Sequence, residues 1–196
     1  WGGTKLQDKF NKKVPSNITH CAESWEISSI DENISVVTNG FLEGNNLQEL
    51  IEIYMGDLVG DKVYDKFGDE FPLLIKFIDA SDTLSIQVHP DNEVAKERHH
   101  AFGKPEMWYI IDSEPSSEII VGFNKNITKA EYQNHLDEGT LKEILNTEKA
   151  AKDDIFFIPS GRIHAIGKGI MLAEIQQASD VTYRIYDWDR VDKNGK

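Results

Sequence analysis

The stretch Leu73-Leu74-Ile75-Lys76-Phe77-Ile78-Asp79-Ala80-Ser81-Asp82-Thr83-Leu84-Ser85-Ile86-Gln87-Val88-His89-Pro90 decides the fold class. Two short runs rich in branched and aromatic residues flank the polar segment Asp79 to Thr83, which is the pattern of two strands separated by a turn. Residues two apart on a strand project to the same face, so Gln87 and His89 point at one spot while Val88 turns away into packing. Pro90 ends the second strand at these two polar side chains.

Working outward, the same short-strand pattern recurs at Ala22 to Ser28, Ile34 to Val37, Met107 to Ile111, Ser117 to Phe123, Ile155 to Ile158, Ile170 to Ile175 and Val181 to Tyr186. Between Asn46 and Phe67, Leu47, Leu50, Ile51, Tyr54, Leu58 and Tyr64 recur at helical spacing, with Asn45 or Asn46 as cap. Gly56 and Gly60 interrupt this stretch, which predicts two short helices. Asp91 to Ala101 reads as a charged helix. Thr128-Lys129-Ala130-Glu131 is a capping box that predicts a helix to about Leu136, with a second helix over Leu141 to Leu145. These two form an expected helical insertion around 125–150. No repeat of fixed period is present. Many short strands with separated helices predict a mainly-β domain spanning 1–196, a sandwich or barrel with helical additions, and not a doubly wound parallel sheet.

With 196 residues the chain can bury a full core, and its formal charge of −13 argues against binding nucleic acid or an anionic membrane. Cys21 is the single cysteine, which excludes an internal disulfide and a cysteine-rich zinc site and fits a reducing, cytoplasmic setting. No apolar run approaches the roughly 20 residues of a membrane span. The start, Trp1-Gly2-Gly3, has neither an initiator Met nor a signal-like run and reads as trimmed, while Asp192 to Lys196 reads as a turn or linker.

Two further stretches carry metal-binding residue types: Lys104-Pro105-Glu106 and Pro159-Ser160-Gly161-Arg162-Ile163-His164. With Gln87 and His89 they offer two imidazoles, a carboxylate and an amide. A nitrogen and oxygen donor set without thiolate suits Zn²⁺ and also Fe, Mn or Ni. His20, His99, His100 and His135 read as ordinary hydrogen-bonding histidines, and Trp25, Trp108 and Trp188 as core or pocket wall. Lys76 is either an edge-strand charge or a pocket residue. Arg184 alone could pair with Asp180 or Glu174. Gly2 and Gly3 read as turn glycines, since no phosphate-loop motif follows.

Ordered blocks along nearly the whole chain resemble type I mannose-6-phosphate isomerase. They are Trp1-Gly2-Gly3 with Lys5-Leu6, Glu23-Ser24-Trp25-Glu26, Gln87-Val88-His89-Pro90-Asp91, Lys104-Pro105-Glu106-Met107, Pro159-Ser160-Gly161 with His164-Ala165, and Glu174 followed by Tyr183-Arg184 and Asp187-Trp188-Asp189-Arg190. The resemblance implies a cupin-type β-barrel or jelly roll, one Zn²⁺ ion, and interconversion of mannose 6-phosphate and fructose 6-phosphate. It places the zinc ligands on Gln87, His89, Glu106 and His164, catalytic roles on Arg184 and Lys104, and substrate binding on Ser85, Lys76 and Glu174. To act as a base, Lys104 must lose its proton, which requires burial or nearby cations to lower its pKa. Many relatives carry His where this chain has Gly103, so the proton-transfer residue is left unassigned. Family chains are longer, and the resemblance implies that their C-terminal β-domain is missing here. The expected partner is a small sugar phosphate, with oligomeric state open. A non-catalytic sugar-binding or regulatory cupin and an Fe(II) cupin oxygenase are the alternatives, the latter because two His and one carboxylate also form a facial triad.

Overall fold

A computed structural model describes residues 1–191; the expected C-terminal turn over 192–196 lies outside the described residues. The strands are β1 (Glu23–Ile27), β2 (Leu73–Ala80), β3 (Ile86–Val88), β4 (Glu106–Ser113), β5 (Glu118–Phe123), β6 (Leu145–Lys149), β7 (Ile155–Ile158), β8 (His164–Ile166), β9 (Ile170–Gln177) and β10 (Tyr183–Tyr186). They form two antiparallel five-stranded sheets, ordered β1-β2-β9-β4-β7 and β10-β3-β8-β5-β6. The mainly-β expectation holds in its two-sheet form. The barrel form does not: among the described residues the ladders stay within each sheet and do not close.

The runs Leu73 to Ile78 and Leu84 to His89 supply consecutive strands in different sheets. β2 lies in the first sheet and β3 in the second, so the polar segment after Ala80 carries the chain across the sandwich, where the Leu84 amide donates to the Ile166 carbonyl at 2.9 Å. Between the sheets, Ile78, Trp108, Ile110, Ile119, Ile158, Ile166, Ile170 and Leu172 form the main core. A second core on the outer face of the second sheet joins Ile86, Ile163, Ala165, Leu141, Ile144 and Leu145. The alternation along β8 is therefore strict: Ala165 packs outside while His164 and Ile166 project inward.

The helices are α1 (Lys5–Phe10), α2 (Leu47–Tyr54), α3 (Gly56–Val59), α4 (Asp61–Phe67), α5 (Asn92–His99) and α6 (Lys129–Asp137). Both predicted caps are present: Asn46 with Glu49 on α2, and Thr128 with Glu131 on α6, each as a reciprocal box. The expected pair of helices over 46–67 is three, because Met55 (φ 48°) and Gly60 (φ 89°) each break the helical run. Two other expectations are corrected. Ile34 to Val37 is not a strand; its backbone bonds go to Ser28 and to the Asn45 to Leu47 segment, forming a local loop that leads into the α2 cap. The helical insertion ends at Ile144 with a short 3-10 turn over Leu141–Ile144, and Leu145–Lys149 is the edge strand β6 of the second sheet.

Gly2 and Gly3 serve close packing, as neither has a positive φ. A side-chain carbon on Gly3 would collide with the buried Asp79 carboxylate, which accepts from the Lys5 amide at 2.7 Å and fixes the start of α1.

Candidate metal centre

Three elements from both sheets deliver the donor set. Gln87 and His89 occupy alternate positions at the end of β3, whose Ile86 packs into the outer core, so both polar residues belong to the inward face. His164 opens β8 directly opposite Gln87 in the antiparallel register. Glu106 opens β4 on the facing sheet, between Gln176 of β9 and Ile158 of β7.

His89, Glu106 and His164 are all essentially inaccessible, and their ligand atoms lie within 4.8 Å of one another. His89 Nε2 is 3.1 Å from Glu106 Oε1, and His164 Nε2 is 3.6 Å from Glu106 Oε2. Yet His89 Nε2, His164 Nε2 and Glu106 Oε2 make no hydrogen bond to protein. Buried polar atoms are normally paired, so three that converge without partners form the kind of set that a cation satisfies. The opposite ring nitrogens are engaged: His89 Nδ1 meets the Val181 carbonyl at 3.0 Å and His164 Nδ1 meets the Arg162 carbonyl at 2.8 Å. A carbonyl only accepts, so each Nδ1 carries a proton, and in the neutral ring Nε2 is then the nitrogen whose lone pair faces Glu106.

The electrostatics agree. Burial holds the His164 imidazole down at about 4, so it stays neutral and able to donate at physiological pH. Burial alone would raise Glu106, but the close His89 ring and the Lys104 ammonium outweigh it and hold the carboxyl at about 2. Glu106 is thus an anion facing the neutral imidazole of His164 and the ring of His89.

Lys104 is buried, with Nζ 3.3 Å from Glu106 Oε1 and 3.5 Å from Thr182 Oγ1. Arg184 lies opposite Gln87 in the β10–β3 register, and its Nε donates to Ser85 Oγ at 3.2 Å, so Arg184 and Ser85 sit together at the exposed edge of the second sheet. Lys76 and Glu174 lie one inward position further along the same sheet, beside Trp108. They pair across β2 and β9 at 3.0 Å, and Trp108 Nε1 donates to Glu174 Oε2 at 2.8 Å. Burial acts to lower the Lys76 pKa, but Glu174 and Glu23 outweigh it and keep the lysine charged; burial in turn pushes Glu174 up. Lys76 is therefore already committed to two carboxylates.

Gly103 has a physical reason. A side-chain carbon there would come within 2.6 Å of the Asn92 nitrogen, at the start of α5. The Gly103 amide donates to Asn92 Oδ1 at 2.9 Å and the Lys104 amide to the Pro90 carbonyl at 3.1 Å, so the segment carrying Lys104 and Glu106 is pressed against the segment that follows His89. Missing from the sequence reading were the supports, the Val181 and Arg162 carbonyls and Thr182. Backbone carbonyls have no residue signature, and Thr182 had no spacing to mark it.

The sequence profile described as phosphomannose isomerase type I, catalytic domain, matches residues 1–125. A mannose-6-phosphate isomerase of Streptococcus mutans is 42% identical over 196 residues, covering all of this chain and 60% of the relative. The mannose-6-phosphate isomerase ManA of Bacillus subtilis is 44% identical over 200 residues, again covering 100% of this chain and 60% of the relative. The crystal structure of the mannose 6-phosphate isomerase from Bacillus subtilis superposes with a TM-score of 0.87 at 39% identity, over 100% of this chain and 60% of that one. The chain thus spans 60% of the length of the curated relatives it matches.

Proposed function

The chain belongs to the type I phosphomannose isomerase family, and from that membership we propose that it forms the metal-binding part of a mannose-6-phosphate isomerase. The observation that carries this reading is the convergence of unpartnered His89 Nε2, His164 Nε2 and Glu106 Oε2 in the buried interior. These three residues and the amide of Gln87 would hold one divalent ion, and a nitrogen and oxygen set of this kind favours Zn²⁺. When bound, such an ion supplies Lewis acidity toward the neighbouring oxygens of a sugar, where negative charge develops as a proton leaves carbon.

The chain's own residues supply the rest. An aldose–ketose isomerisation moves one proton between adjacent carbons by way of an enediol, so it needs a proton carrier beside the reacting oxygens. Lys104 is the candidate, because its Nζ lies next to Glu106 inside the same buried cluster. Arg184, permanently charged and exposed, is suited to hold the phosphate, with Ser85 fixing its Nε. Lys76 and Glu174 bear on substrate only as a neutralised pair that shapes the interior wall with Trp108. The net charge of −13 opposes a dianionic substrate at long range, but screening confines that repulsion to about 8 Å at physiological salt and leaves local cations in control. No helix is long and apolar enough to cross a membrane, and the lone thiol fits a cytoplasmic setting.

The test is isotopic. Zinc-loaded protein incubated with mannose 6-phosphate in heavy water is expected to place deuterium on the exchanging carbon, and a chelator is expected to stop it. Substrate binding with no exchange, in a chain extended to the length of its relatives, would reject the isomerase reading in favour of a sugar-binding protein.

A further inference from the structure

Gln176 is 1% exposed on the inward face of β9, between Leu74 of β2 and Glu106 of β4. An apolar residue is the default at such a position, and a buried amide is favoured there only if its donors are used. Both are. Nε2 donates to the Ser179 carbonyl at 2.6 Å and to the Gln177 carbonyl at 3.0 Å, drawing the chain back over the end of the sheet as it leaves β9. Ser179, also buried, then accepts the Val181 amide on its Oγ at 3.3 Å. The carbonyl of Val181 is the one that accepts the hydrogen bond of His89 Nδ1 at 3.0 Å.

We infer that Gln176 is a positioning residue for the metal centre, setting the ring orientation and tautomer of His89 through Ser179 and Val181; this rests on the metal-binding reading above. The two histidines differ in how they are held. His164 leans on Arg162, two residues before it in the same segment, whereas His89 leans on a carbonyl supplied by the segment joining β9 to β10. A change at Gln176 therefore reaches one imidazole and spares the other, an asymmetry that a general loss of stability does not produce.

The experiment compares the wild-type chain with Gln176→Met, which keeps the volume and removes both donors, with Ser179→Ala, and with Ile51→Ala, buried on α2, as a destabilised control outside the relay. Zn²⁺ affinity is read by competition with a chromophoric chelator, and the imidazole nitrogens by ¹⁵N NMR on metal-free and zinc-loaded protein. Gln176→Met is expected to lower zinc affinity by roughly 10–100-fold, the usual consequence of losing an outer hydrogen-bond partner. It is also expected to expose the His89 Nδ1 proton to faster exchange while the His164 signal stays unchanged. Ser179→Ala should move both readouts in the same direction, and Ile51→Ala neither. Equal changes at both histidines, or a folded Gln176→Met with wild-type zinc affinity and an unaltered His89 signal, would overturn the inference. If Gln176→Met does not fold, Ser179→Ala decides by the same criteria. Failure of the wild-type chain to take up zinc would reject the metal reading instead, and the His89 signal in metal-free protein would still decide this one.

Discussion

Two buried polar clusters sit on adjacent inward positions of the same strands. In one, Lys76, Glu174 and Trp108 line up across β2, β9 and β4, with Glu23 as a second carboxylate on the lysine. In the other, Glu106 at the mouth of β4 meets His89 and His164 from the facing sheet. Both place charged groups among buried side chains. The first answers its cation with anions and ties its carboxylate to an indole. The second leaves an electron pair on each of three converging atoms with nothing from the protein to take it. Burial and charge alone, therefore, do not distinguish a structural ion pair from a metal centre; unpaired acceptors aimed at one point do.

The comparison breaks most visibly at the ion pair. Lys76→Met leaves Glu174 buried without its cation, and removing one partner of a buried pair typically costs about 3–5 kcal/mol. Chemical denaturation of the metal-free chain should show that loss, while zinc affinity stays within about threefold of wild type, since the substitution adds no new contact to the donors. A variant that lost zinc but kept its stability would make the two clusters one unit. Glu106→Gln should behave in the opposite way. Four-ligand zinc sites bind with about 10–16 kcal/mol, so one ligand carries about 3 kcal/mol and its removal should weaken zinc by roughly 100-fold in the chelator competition.

Acid titration reports on the cluster of His164 and Glu106. His164 is held at about 4 in the fold against 6.5 unfolded, so the unfolded chain takes up a proton that the folded one refuses between those values. Metal-free stability should fall as pH drops from 6.5 toward 4, by on the order of 1–3 kcal/mol. Glu106, at about 2 against 4.5, contributes stability that is present above pH 4.5 and lost as pH falls toward 2, so both shifts push the same way. In His164→Ala the decline between 6.5 and 4 should be shallower, and an unchanged profile would remove His164 from the explanation. A comparable effect is expected at Gly103→Ala, where overpacking against Asn92 should cost about 1–3 kcal/mol by thermal or chemical unfolding.

The donor positions were legible because a period of two is a strong signal: Ile86 and Val88 facing one way require Gln87 and His89 to face the other. The capping box at Thr128, and a cap at Asn45 or Asn46, were legible because a cap and its partners lie within four residues. Strand β6 was not, since Leu145-Asn146-Thr147-Glu148-Lys149 is a largely exposed edge with one buried side chain and no apolar alternation. Strand β8 was missed for the opposite reason: three residues buried on both faces leave no polar partner to mark the period. Ile34 to Val37 read as a strand on composition, but its neighbours offered loop carbonyls and no sheet edge. Gly103 showed in the sequence as a departure from relatives, while its cause, contact with the start of α5, is tertiary. The commitment of Lys76 to Glu174 and Glu23 is likewise a matter of register that no local pattern carries.

The most direct measurement is a crystal structure of the zinc-loaded chain with anomalous data collected at the zinc edge. A single ion bound by Nε2 of His89, Nε2 of His164, a carboxylate oxygen of Glu106 and the amide oxygen of Gln87, at about 2.0–2.2 Å from each, is the predicted result. An ion bound elsewhere, or zinc-soaked crystals in which these donors stay empty, would contradict it.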